Sequence, residues 1–373
     1  MSLRFDTRTI LNFTNISKLH PSMKTGLLTL SAFGFGFCGT ISAGAQTAAA
    51  PIASEIAGFS SLDIAGENQA GDPQLSLKAI GLIRHIEYQG KAETIRVKMV
   101  VDKQATWTED QFNPPKATVA TATYYLEVTS GPLRGAIFDI VKTDAAHKRL
   151  TLAQPVPPSI GPTPTFQIRQ HWTLAKVFGA AQDITLQAGD ASTADLVSIF
   201  NGKRYDQYYM SNGSAGTGWR RVGGGTVDES GHKIYPDDGM AITRRAGSAA
   251  SVLVKGVVKT DRAVIPLQHG FNLVANLYQV PMTLANSHLY TTLPGTGLRA
   301  GATASRADNV QIFNGIGYDT YYYQTSGLNG SGWRSAADPH TDVSGTVIPV
   351  GSAFVVQRRG AVGFNWVTAP AVP

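Results

Sequence analysis

Residues 191–210 read ASTADLVSIFNGKRYDQYYM, and residues 304–323 read ASRADNVQIFNGIGYDTYYY. Thirteen of the twenty aligned positions are identical, where unrelated sequence gives about one or two, so the chain carries an internal duplication. In each copy a strand-like run reaches Asn-Gly (Asn201-Gly202, Asn314-Gly315) and restarts as YDQYYM or YDTYYY. Asn-Gly between two such runs is a strong hairpin signal, because both residues tolerate positive φ.

Working outward, the parts keep their order. A glycine-rich loop leads to GWR at Trp219 and Trp333, and a D-x-S-G turn follows at Asp228 and Asp342. A proline, Pro236 or Pro349, precedes GMAITRR or GSAFVVQRR. The offset between copies stays within 112–114 residues from AD to RR. Upstream, His171 and His269 are read as the starts of matching opening strands, with Thr185-Leu186 matched to Thr283-Leu284. Each copy holds five or six short strands, which predicts a small antiparallel sandwich or barrel. The reading is therefore all-β, with tandem modules at 171–260 and 261–373.

Residues 75–170 predict a further, N-terminal β domain. TIRVKMVV alternates, with Ile95, Val97 and Met99 on one side of a single half-buried strand. TYYLEVTSGPLRGAIFDIVKTDAAHKRLTLAQP predicts three strands with turns at SGPLRG and TDAAHK. The proline-rich PVPPSIGPTP breaks the pattern before TFQIRQHWTL resumes it. Residues 46–74, rich in Ala, Gly, Ser and Gln, predict a flexible lead.

MKTGLLTLSAFGFGFCGTISAGAQ, from Met23, combines Lys24, an apolar run over 27–41 and Ala43-x-Ala45. That is the layout of an export signal cleaved after Ala45, with Met23 a candidate start. Cys38, the single cysteine, lies inside it behind Phe37, a poor lipidation site, so the exported chain has no thiol chemistry and no disulfide. Residues 1–45 hold four of the 32 Lys/Arg and one of the 26 Asp/Glu, leaving 28 basic against 25 acidic residues. No basic cluster of nucleic-acid type remains, and no membrane span is expected after cleavage.

YYLEVTSGPLRGAIFDIV, IRQHWTLAKVFG, IFNGIGYDTYYY and SGWR, with GFNLVANLYQVPMTLANSHLY opening the last module, together resemble a paralogous family of secreted β-rich proteins of Verrucomicrobia. The resemblance spans about 76–370 and implies export and an all-β fold. It brings no catalytic residue or cofactor.

The eight histidines are at least 19 residues apart, and no HxH, HExxH or G-x-S-x-G occurs. Asp228, Glu229, Asp237 and Asp238 fall within eleven positions. Such a group supplies oxygen ligands for calcium, with Asp228, Asp237 and Asp238 the candidates, or paired carboxylates for glycoside hydrolysis. The competing reading is a solvated turn. Asp206 and Asp319 are read as structural carboxylates facing Arg220 and Arg334. Tyr208, Tyr209, Tyr321, Tyr322 and Tyr323, with Trp219 and Trp333, are candidate sugar-stacking residues, against the alternative of cross-strand packing. The sequence thus predicts an exported, non-enzymatic envelope or extracellular protein with a structural, matrix or adhesive role, its partners polysaccharide, envelope proteins or itself. The alternatives are a carbohydrate-binding protein and a secreted hydrolase.

Overall fold

The computed structural model describes residues 55–67, 72–180, 184–201, 204–245, 247–326 and 330–370. The export segment lies outside them. The regular structure of the described residues is nearly all antiparallel strand, with one α-helix, Leu174–Phe178, and a 3-10 turn, Pro158–Ile160. Its sheets are open, so the modules are sandwiches rather than closed barrels.

The first module uses strands that the sequence pattern does not assign to it. Its larger sheet runs Gly218–Arg221, Tyr205–Ser211, Leu196–Phe200, Met240–Arg244 and Gln74–Lys78. Its smaller sheet sets Ala57–Ile64 and Leu82–Ile83 on either side of Ala250–Val258. The lead expected to be flexible over 46–74 is thus, at 57–64, a strand paired along its whole length with Ala250–Val258. Leu62 and Ile64 alternate inward to meet Val252, Val254, Ile242, Val197 and Trp219 in one core. Burying each of these side chains is worth about 1.5–3 kcal/mol, which the alternating FSSLDI pattern delivers on one face only.

The second module repeats this plan without interruption. Gly270–Ala275, Ala353–Arg358, Asn309–Phe313, Tyr318–Gln324 and Gly332–Ser335 form its larger sheet, and Ala263–Leu267 pairs with Phe364–Thr368 opposite. Phe354, Val356, Trp366 and Trp333 fill its core.

Between Ile83 and His171 the first module is interrupted by a seven-stranded sheet. Its order is Ile86–Lys91, Thr165–Gln170, Tyr124–Val128, Ile137–Asp144, Arg149–Leu152, Met99–Val101 and Thr94–Arg96. Trp107, Phe112, Leu126, Phe138 and Ile168 pack beneath it. The β domain expected over 75–170 is therefore an insert, and 74–83 belongs to the module around it. The single strand expected at TIRVKMVV is a hairpin, with Ile95 opposite Val100 and the turn at exposed Val97.

Pairing also corrects the register of the duplication. Trp172-Thr173 pairs with Lys233-Ile234 as Met282-Thr283 pairs with Val347-Ile348. His171 therefore precedes the counterpart of Met282 and is not equivalent to His269. The strand expected to run on through HWTLAKVFG stops at Thr173, whose side chain accepts from Lys176 N and caps the helix Leu174–Phe178. Leu186-Gln187 matches Leu298-Arg299, because the amides of Gln187 and Arg299 both reach the repeated aspartate, Asp195 or Asp308, at 2.7 Å. Tyr235, not Pro236, matches Pro349, since Asp238 N and Ser352 N bond back to those carbonyls.

The modules meet through a reciprocal exchange. Ala79 N donates to Gly351 O at 2.9 Å, and the equivalent Ala275 N donates to Asp237 O at 3.2 Å. Lys78 bridges Ser352 while Asp238 bridges Val274. Each module's edge strand thus continues onto the other module, an approximately two-fold arrangement that covers both edges.

Candidate functional site

The letters shared by the two copies are used for folding. Asn201 Nδ2 donates to Asp206 at 2.9 Å, and Asn314 Nδ2 donates to Asp319 at 3.1 Å. Phe313 lies opposite Tyr318, so the loop has four residues. Asn314 Oδ1 accepts from Ile316 N and Gly317 N, and only Gly315 takes positive φ. The asparagine is thus a side-chain cap of the turn. The expected pairing of Asp206 and Asp319 with Arg220 and Arg334 does not form. Those arginines face Asp228 and Asp342, at 3.5 and 2.8 Å, while Arg204 sits 3.4 Å from Asp206.

Most candidate sugar-stacking residues are interior. Tyr208, Tyr209, Tyr322, Trp219 and Trp333 are buried. Trp219 Nε1 donates to Gly179 O at 2.9 Å, a satisfied core indole. Tyr209 packs on Ala194 and Leu196. Tyr321 and Tyr323 are half-buried, and Tyr323 stacks on Tyr290 with centroids 3.5 Å apart. These side chains pack the interior, and of them Tyr208 also reaches the cleft described below.

The candidate metal ligands do not form a cluster, although Asp228 and Asp238 both line the cleft described below. Asp228 holds its own turn, accepting from Ser230 N and Oγ as Asp342 accepts from Ser344 N. Asp238 accepts from Tyr235 N at 2.8 Å. Asp237 lies apart, in a cavity of about 20 Å3 beside Tyr125, Glu127 and Lys259. Among the described residues no cluster of three His, Cys, Asp or Glu has metal-holding spacing.

Tyr208 and the carboxylates Asp206, Asp228, Glu229 and Asp238 come together where the insert meets the first module. A cleft of about 870 Å3 lies between the insert's 118–123 loop and one end of the module sandwich, within the usual range for a small-ligand site. Phe200, Asp206, Tyr208, Arg221, Glu229 and His232 line it, with Thr118, Thr121 and Thr123 opposite. Tyr208 Oη lies 3.1 Å from His232 Nδ1, and the rings are 4.3 Å apart. Glu229 Oε2 is 3.9 Å from the same nitrogen, and Glu229 Oε1 is 3.9 Å from Arg221 Nε. Burial raises the Glu229 carboxyl above its ordinary range; Arg221 opposes this, while Asp228 and Asp206 add to it. Burial likewise pushes the Tyr208 phenol up, so it stays a hydrogen-bond donor at neutral pH.

Behind the cleft, a buried polar node fixes the insert to the module. Asp139 of the insert accepts from Lys233 Nζ at 2.9 Å and from Tyr235 Oη at 2.7 Å, and lies 2.9 Å from His171 Nε2. Lys233 also donates to Val119 O in the cleft loop. Burial alone would raise the Asp139 carboxyl, but His171 and Lys233 overcome it and hold it well below the carboxylate range.

Asp206, Tyr208 and Asp228 of the cleft are shared with the second copy, as Asp319, Tyr321 and Asp342, but five of its polar residues are not. Arg221, Glu229, His232, Tyr235 and Asp238 occupy the places of Ser335, Val343, Thr346, Pro349 and Ser352. The acidic run read from the sequence places Asp228, Glu229 and Asp238 in the cleft; comparing the copies for polar differences adds Arg221 and His232. The chain matches no protein-family model, no curated protein and no solved structure.

Proposed function

We propose that this is an exported, non-enzymatic β-module protein of the envelope or extracellular space that holds a neutral or amino-bearing polysaccharide in the cleft, giving it a matrix or adhesive role. The observation that carries the reading is the concentration of polar differences between the copies around one cleft. A hairpin needs Asn201 and Asp206 in both modules, but no fold requirement shared by the modules asks for Arg221, Glu229 and His232. Four carboxylates line the cleft against Arg221 and Lys233, which disfavours nucleic acid and other polyanions. Carboxylates, threonine hydroxyls, a phenol, an imidazole and a guanidinium suit sugar hydroxyls, which both donate and accept. The export segment and the resemblance to secreted Verrucomicrobia proteins support the compartment.

The test replaces the cleft with its own counterpart. The triple variant Arg221→Ser, Glu229→Val, His232→Thr carries letters that the second module folds with. Electrophoresis through gels containing neutral plant, bacterial or chitinous polysaccharides should retard the wild-type chain and not the variant. Equal mobility of the two in every gel would remove the reading.

A second reading, a glycoside hydrolase, is favoured by one observation: the raised Glu229 carboxyl, the direction a general acid needs. Reducing-end release from the retarding polysaccharide, lost in Glu229→Gln, would replace binding with turnover as the function.

A further inference from the structure

Adjoining the cleft at Phe200 lies a second depression, a groove of about 540 Å3 between the two modules. Phe200, Arg204 and Tyr205 form its wall from the first module. Phe271, Gln311 and Tyr318 come from the outer face of the second module's larger sheet, over a floor of Leu273 and Val355. Tyr205 and Tyr318 are repeat counterparts and remain 43% and 44% exposed, and Phe271 is 53% exposed. Water-facing aromatic rings gathered in one groove mark a contact surface.

Both tyrosines are set by the same internal contact. Phe200 and Tyr205 have centroids 5.3 Å apart at 56°, and Phe313 and Tyr318 have centroids 5.4 Å apart at 58°. The rings are therefore held in place before any ligand arrives, which lowers the entropy cost of binding. Polar groups sit at the rim: Arg204, Gln311, and His269, whose Nδ1 faces Gly360 O at 3.0 Å. Aromatic faces framed by hydrogen-bonding edges match a pyranose, which offers apolar C–H faces and hydroxyl edges. An aliphatic or acyl partner would leave that polar rim unmatched.

Phe200 lines both the cleft and the groove. From this continuity we infer that the ring pair of Phe200 and Tyr205 is a saddle, and that one linear polysaccharide chain crosses it, occupying the cleft and the inter-module groove together. This deepens the cleft reading and rests on it. The ligand is then a polymer segment rather than a free monosaccharide or chain end.

The experiment titrates the whole exported chain with cello-, malto- and chito-oligosaccharides, comparing disaccharide with octasaccharide by calorimetry. In the series that binds, the octasaccharide should bind about tenfold tighter or more. Tyr318→Ala and Phe271→Ala should erase that advantage and leave disaccharide affinity unchanged. Tyr318→Phe keeps the ring and should restore most of it, and matched melting curves show that the variants fold. Octasaccharide binding equal to wild type in both alanine variants would overturn the shared-chain inference while leaving the cleft reading intact. No binding of either length in any series would remove the cleft reading itself. Octasaccharide binding that needs Tyr318 but ignores the cleft triple variant would overturn the shared chain by confining the ligand to the groove.

Discussion

Asp195 accepts a hydrogen bond from Arg244 Nη1 at 2.5 Å across 49 residues, and Asp308 accepts the equivalent bond from Arg358 across 50. The next backbone amides, Arg245 N and Arg359 N, donate to the second carboxylate oxygen at 2.7 Å in each case. Both carboxylates are fully buried. The AD and RR letters that open and close each copy are thus the two halves of one clasp.

Breaking such a pair strands a buried charge and costs about 3–5 kcal/mol. Asp308→Ala should therefore shift urea unfolding of the chain by about that amount. Asp308→Leu combined with Arg358→Met should recover much of it, because neither partner is left charged. A single variant within about 1 kcal/mol of wild type would mean that the clasp is incidental.

The insertion makes a second prediction. A chain beginning at residue 171, where the sequence pattern places the first module, lacks Ala57–Ile64 and Gln74–Lys78. It would leave Ala250–Val258 without its long partner and Leu196–Phe200 in a four-stranded sheet with an open edge. It should aggregate, whereas a chain beginning at residue 55 should elute from size exclusion as folded protein. Equal solubility of the two would contradict the strand assignment.

How much of this was legible follows from which forces act locally. Hairpins such as Leu196–Phe200 with Tyr205–Ser211 are written in short stretches, because turn chemistry and alternation are local. The all-β class and the burial of Trp219 and Trp333 follow from the same signals. The pairing of Ala57–Ile64 with Ala250–Val258 joins residues nearly 200 positions apart. No local pattern encodes a partner at that distance, and the small residues of AGFSSLDI resemble linker sequence. The matching letters drew attention to Tyr322, which serves packing, and to Tyr208 and Asp228, which brace the core and a turn while also lining the cleft. Glu229 was visible as part of the acidic run from Asp228 to Asp238, and His232 only as a departure from the second copy.

The node at Asp139 predicts acid sensitivity. Its carboxyl pKa is lower in the folded chain than in the unfolded one, so the unfolded state takes up a proton first as pH falls. The stabilisation is complete at neutral pH and is lost as pH drops below about 4, the ordinary aspartate value. Asp139→Asn should lower the melting temperature at neutral pH, by the equivalent of about 3–5 kcal/mol, since Lys233 is left buried beside a neutral amide. The gap should narrow on acidification. A difference that persists unchanged down to pH 2 would show that Asp139 contributes packing rather than charge.

Glu229 carries the opposite sign. Its carboxyl is raised by burial, so the folded state disfavours its ionised form and loses stability as pH rises through the ordinary glutamate range, about 4.3, toward the raised value. Glu229→Gln removes that charge. It should melt higher than wild type at neutral pH, by less than about 1 kcal/mol because solvent screens the site, and match wild type below about pH 4. A carboxylate kept in a cleft against the preference of the fold is the pattern of a residue retained for a ligand. The same variant should therefore bind the retarding polysaccharide more weakly while unfolding at higher temperature. Lower stability at every pH, with binding unchanged, would make Glu229 a structural partner of Arg221 and would take the cleft's central residue out of the proposed function.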